Sequence, residues 1–253
     1  MPIKKKTKKP IDLKDKLRRG GFYFVKDKEG IEKPYPSVTK IISVLDKPML
    51  QRWYGSEVYK AVIVDPSISE SDALSAPWRS SGIAKTRGTF VHKITENFKD
   101  TPEYMDSLPE DKKGYAIAYK NWTHDYNPTI ICQEKTVVSK EYGFAGTLDI
   151  MARLNDSSKL TIIDKKTGKG IYPECVLQLS AYKQAMKELG KDVDIGALLL
   201  MPDGSYQFHR YEVSKLKEFL ACKLIYEWQH EDLIKKINDL IIKKQNGQRF
   251  ANK

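Results

Sequence analysis

The sequence points to an α/β fold: a mixed central β-sheet flanked by helices, with a helical N-terminal part. Three observations support this. Two runs rich in Val, Ile, Leu and Thr, Ala145 to Leu154 and Lys159 to Lys165, flank the polar turn Asn155-Asp156-Ser157-Ser158, the pattern of an antiparallel hairpin. A second pair of strands, Ile195 to Met201 and Tyr206 to Val213, folds about an Asp203-Gly204 turn. Stretches with apolar residues at helical spacing precede and follow these strands.

In chain order, residues 1 to 19 are a basic tail opening MPIKKKTKKP. The tail either adds sequence-independent phosphate contacts or only aids solubility. Residues 20 to 253 read as a single domain. Gly21 to Lys26 is a strand and Glu29-Gly30 a turn. Pro36 and Ser37 open a helix with Ser37 as N-cap and Val38, Ile41, Ile42 and Leu45 on one face. Met49 to Val64 is helical, Asp65 to Ser81 is a loop rich in Ser, Pro and Asp, and together they form an insertion over about 49–82. Ile83 to Phe98 is a helix with Phe90, Ile94 and Phe98 as an apolar stripe, widened by Val91, and with His92 and Glu96 one turn apart.

Pro109 to Tyr126 is an amphipathic helix (Tyr115, Ala118, Tyr119, Trp122), and Thr129 to Ser139 a strand containing Glu134. After a loop at Thr167 to Gly170, Glu174 to Leu189 is a helix ended by Gly190, with Gln178 and Tyr182 on a shared face. Ser214 caps a closing helix over about 214–245 whose Leu216, Phe219, Leu220, Leu224 and Trp228 face the core, and the final QNGQRFANK frays.

The net charge of +11 favours a polyanionic partner, with nucleic acid the obvious one. No apolar run is long enough to span a membrane, and no secretory signal opens the chain. Cys132, Cys175 and Cys222 are scattered without CxxC spacing, which argues against a zinc ribbon and suits a reducing cytoplasm. There is no P-loop, so any motor or other replication or recombination protein would act in trans.

Each strand of the first hairpin carries an acid where an apolar residue is expected: Asp149 within GTLDIM and Asp164 at the end of TIID. Residues i and i+2 of a strand share a face, so Asp164 and Lys166 project together while Lys165 points away. Asp149 reaches the same spot from the neighbouring strand if the hairpin pairs in the obvious register. Two carboxylates make a hard site suited to Mg²⁺ or Mn²⁺, and the lysine beside them stabilises charge on a phosphate or orients the attacking water.

Asp149 followed fifteen positions later by Asp164-Lys165-Lys166 resembles the metal site of the PD-(D/E)XK nuclease superfamily. QLSAY, Gln178 to Tyr182, is similar to the QxxxY element of its RecB-like and Cas4-like exonuclease branch. GTFVHKITE, Gly88 to Glu96, resembles that branch's helix bearing a metal-binding histidine. YPSVT, Tyr35 to Thr39, matches the subgroup that includes the mitochondrial genome maintenance exonuclease and related phage exonucleases. The four elements keep their order from Pro36 to Tyr182.

The resemblance implies a restriction-endonuclease-like nuclease core over about 83–213. It implies metal ligands His92, Asp149, Asp164 and the Lys165 carbonyl, with Lys166 as the catalytic lysine. Gln178, Tyr182 and Arg87 would contact the strand, as would Ser37 and Thr39 unless Ser37 only caps its helix. Glu134 matches the family's upstream glutamate, either orienting ligands or standing as a charged edge residue. The cysteines of an iron–sulfur cluster are lacking. The implied activity is Mg²⁺- or Mn²⁺-dependent exonucleolytic hydrolysis of single-stranded DNA or free ends, in replication, recombination or repair, in a bacterial or phage-infected cytoplasm. An endonuclease on the same site and a non-catalytic DNA-binding protein are the alternatives. The insertion, with Trp53, Tyr54 and Trp78 among Arg52, Lys60 and Arg79, is either a stacking and phosphate-binding arch for a single strand or ordinary core.

Overall fold

The computed structural model describes residues 20–26, 30 and 32–251. The basic tail and Glu29 of the expected turn lie outside them. The chain opens with a hairpin, β1 (Phe22–Lys26) and β2 (Glu32–Pro36), paired antiparallel from Phe22↔Pro36 to Lys26↔Glu32. A short helix α1 (Val38–Ile42) follows, capped by Ser37, whose Oγ accepts the Lys40 N–H at 3.2 Å. Next come α2 (Pro48–Val64), α3 (Glu70–Glu96), α4 (Pro102–Asp106) and α5 (Glu110–Tyr126).

The central sheet has five strands in spatial order β3 (Thr129–Ser139), β4 (Phe144–Arg153), β5 (Leu160–Lys166), β6 (Val193–Leu200) and β7 (Tyr206–Tyr211). β3, β4 and β5 pair antiparallel, as do β6 and β7. β5 and β6 are parallel, which requires a crossover, supplied by α6 (Glu174–Lys187). The sheet is therefore mixed, and its inner strands are apolar on both faces because helices cover both. On one face Val38 and Ile41 of α1, Leu179 and Met186 of α6 and Phe219 of α7 (Leu216–Gln229) pack on Phe144, Leu148 and Ile162. On the other, Val91 of α3 and Tyr115, Tyr119 and Trp122 of α5 pack on Ile150, Ile163 and Leu198. A final helix, α8 (Glu231–Ala251), lays Ile237 against Phe22 of β1.

Four expectations are corrected. Asp65 to Ser81 is not a loop to its end: α3 starts at Glu70 and runs unbroken for 27 residues through Pro77 to Glu96. Its polar start is a cap, with the Ser69 Oγ accepting the Asp72 N–H at 3.1 Å and donating to the Asp72 carboxylate at 2.7 Å. The serines that suggest a loop are satisfied: Ser75 donates to the Asp72 carbonyl and Ser80 to Glu57 of α2. The stripe on α3 that meets the sheet is Val91–Ile94, while Phe90 is exposed.

The closing helix is two helices, broken at His230, and its N-cap is Lys215 rather than Ser214. Phe219, Cys222 and Tyr226 form the buried face of α7, and Leu224 and Trp228 point to solvent. Leu45 also lies outside the core, because α1 ends at Ile42.

Candidate metal centre

The β4–β5 ladder runs from Arg153↔Leu160 to Ile150↔Ile163 and stops there. Beyond that point β4 stays with β3 as far as Ser139↔Phe144, and β5 stays with β6 as far as Lys166↔Leu199. The sheet forks, and Asp149 and Asp164 stand where its branches part. The Asp149 carboxylate accepts the Lys165 backbone N–H at 2.6 Å, replacing the ladder bond that the fork removes. Ser37, leaving β2, bridges to Ala145 on the freed edge of β4.

Across the β3–β4 pairing Glu134 faces Asp149, between the pairs Gln133↔Ile150 and Lys135↔Leu148. Glu134 has φ 45°, a left-handed conformation that costs a residue with a side chain about 1 kcal/mol.

These elements converge His92, Glu134 and Asp149. One ligand atom from each lies within 4.8 Å of the others. His92 Nδ1 is 3.3 Å from Glu134 Oε1 and 3.8 Å from Asp149 Oδ1. Adjacent ligands of a six-coordinate ion with bonds of about 2.1 Å lie about 3 Å apart, so the trio needs little movement to close on one ion. One imidazole and two carboxylates suit a divalent cation.

Burial, helped by the Lys165 ammonium, holds the His92 imidazole below its ordinary pKa and keeps it neutral, as a ligand must be. Burial and then the charge of Asp164 push the Asp149 carboxyl up to about 8, a carboxylate pair whose repulsion a cation would relieve.

Asp164 lies outside that trio, on the α6 side of β5. Lys166 Nζ is 2.5 Å from its carboxylate, Gln178 Nε2 donates to it at 2.7 Å, and the Cys175 thiol donates at 3.2 Å. Burial works against the Lys166 ammonium, but Asp164 outweighs it and holds the amine's pKa above its ordinary value. Burial and Asp164 together push the Cys175 thiol up.

Gln178 links the group, accepting from Lys166 at 3.4 Å and donating to the Tyr182 hydroxyl at 3.2 Å. Tyr182 is buried, so it steadies Gln178 and does not face solvent. Its ring fits only because residue 146 is glycine: a Cβ there would stand 2.5 Å from Tyr182 Cε1.

The remaining expected contacts divide. Thr39 is exposed and lines a cavity of about 220 Å³ together with Ser43, Lys47, Lys166, Cys175 and Gln178. Ser37 is buried, its N–H donates to the Gly21 carbonyl at 2.8 Å, and its Oγ caps α1, so its polar atoms serve the fold. Arg87 sits on α3 five residues before His92, and its buried Nε has no hydrogen-bond partner among the described residues.

Sequence reasoning missed Thr95 and Cys175, although each stands three residues from a recognised site residue on the same helix, a spacing that puts both on one face. It also missed Tyr23, whose hydroxyl is 3.0 Å from Thr147 Oγ1 on the open branch of β4.

No helix among the described residues is long and apolar enough to cross a membrane. No protein-family model matches the chain, and no curated protein does. Among solved structures the chain is similar to an alkaline exonuclease from Laribacter hongkongensis, at 12% sequence identity and a TM-score of 0.33 over 60% of this chain and 92% of that one.

Proposed function

We propose that this chain is a Mg²⁺- or Mn²⁺-dependent DNA exonuclease of the PD-(D/E)XK type, acting on single strands or free ends. The observation behind this reading is the fork, where Asp149 and Asp164 stand on the parting strands, with His92 of α3 beside Asp149 and Lys166 beside Asp164. The order of motifs along the chain supports the same reading, as does the net charge of +11. Residues 20–253 are proposed to act as one nuclease domain.

His92, Glu134 and Asp149 would hold the ion, joined by Asp164 and the Lys165 carbonyl as the resemblance implies. A bound divalent ion would supply Lewis-acid charge at the scissile phosphate and make a nearby water more acidic. Lys166, anchored by Asp164 and Gln178, is aimed to orient that water or to meet charge building on the phosphate. Gln178, held by Tyr182, and Thr39 across the cavity would align the strand, and Arg87, five residues before His92 on α3, would contact a phosphate as the resemblance implies.

The test is end-labelled linear single-stranded DNA beside circular single-stranded DNA, each with Mg²⁺, Mn²⁺ or EDTA, using wild type and Lys166→Ala. We expect loss of the linear form only, abolished by EDTA and reduced by ~10²-fold or more in the variant. Cutting of the circle would replace this reading with an endonuclease, and no cutting of either would leave a DNA-binding module.

A further inference from the structure

β5 carries two consecutive lysines to opposite faces of the sheet. Lys166 meets Asp164 on the α6 side, while Lys165 turns toward α3 and its side chain is completely buried, at 0% exposure. Its Nζ donates to Thr95 Oγ1 at 3.0 Å and to Glu134 Oε1 at 3.4 Å. Thr95 in turn donates to the carbonyls of Val91 and His92, at 3.1 and 2.9 Å, on the turn that presents the imidazole. The backbone N–H of the same lysine holds Asp149 at 2.6 Å. One residue therefore touches Glu134, Asp149 and the turn behind His92.

A fully buried ammonium is costly unless an opposite charge compensates it, and Glu134 is the carboxylate that ion-pairs with it. We propose that Lys165 is a positioning residue and a built-in counter-ion of the metal centre. Its ammonium balances the carboxylates before an ion arrives, and the ion then binds against its repulsion. The proposal rests on the metal-centre reading above.

The consequence has a definite sign. An ordinary structural lysine could lose its charge without changing metal affinity. A counter-ion cannot, because an ammonium fixed a few ångström from a dication in a poorly solvated site is worth at least about tenfold in affinity.

The test is Lys165→Met, which keeps the stem's volume and removes the charge, with Lys165→Gln as a second neutral variant that still donates to Thr95. Mn²⁺ binding to the full chain is measured by calorimetry, and the melting temperature is measured in EDTA. We expect both variants to bind Mn²⁺ at least about tenfold more tightly than wild type. We also expect both to melt lower in EDTA, because Glu134 loses its ammonium partner, and Lys165→Met with Glu134→Gln to recover that loss. Unchanged or weaker Mn²⁺ binding in the neutral variants, with wild type binding normally, overturns the proposal alone. Wild type that binds no Mn²⁺ overturns the metal centre and this proposal with it.

Discussion

Asp149 is the side chain on which the site's behaviour turns. Its carboxyl is pushed from an ordinary 3.8 up to about 8, by burial first and by Asp164 second. An acid that holds its proton more tightly folded than unfolded weakens the fold as pH rises between those two values. In EDTA, the melting temperature of the wild type should therefore decline from acid pH toward about 8, and Asp149→Asn should remove that slope. Binding a cation requires the ionised form, so apparent Mn²⁺ affinity should rise about tenfold per pH unit below that value as one proton is displaced. A wild-type melting profile with the same pH slope as Asp149→Asn would show that this carboxyl is not the strained one.

Secondary-structure elements meet the site through a few close approaches that local propensity cannot report. Gly114 in α5 is an example. On propensity, alanine in mid-helix is favoured over glycine by about 1 kcal/mol. A Cβ at Gly114, however, would stand 1.7 Å from the Pro202 carbonyl oxygen in the turn joining β6 to β7. That atom is backbone, so α5 or the turn must shift, and the contact outweighs the propensity. Gly114→Ala should cost about 3 kcal/mol and lower the denaturation midpoint at unchanged slope. A stabilised variant would mean that α5 rides farther from the turn than the structure shows. Helix α3 obeys the same logic in the opposite sense: Pro77 and four serines would be poor choices for an isolated helix, yet α2 and a well-formed cap sustain it.

Across the molecule, two buried layers lie on either side of the forked sheet. Trp122, Tyr119 and Val91 hold α3 and α5 on one face, and Leu179, Phe219 and Val38 hold α6, α7 and α1 on the other. The candidate metal centre lies between these layers, so an ion bound there as proposed should stabilise the entire chain. At an Mn²⁺ concentration of about a hundred times Kd the gain is about 2.7 kcal/mol, a rise of roughly 5–10 °C in Tm for a chain of this size. Asp149→Ala should show no such rise in a melting experiment. An equal shift in that variant would place the ion elsewhere.

The strands β3, β4 and β5, helix α6 and the pairing of Asp164 with Lys166 were readable along the chain. Each depends on a period of two or of 3.6 residues, and such periods are local. So was the arrival of His92 on a helix. The fork was not readable, because where a ladder stops depends on which strand each branch keeps as its neighbour. The placement of Glu134 opposite Asp149 follows from the β3–β4 register, and the continuity of α3 through Pro77 from its packing on α2. The direction of the Lys165 side chain was readable from alternation, but its partners were not. Thr95 lies 70 residues away and Glu134 lies 31, and only the folded sheet brings them to one ammonium.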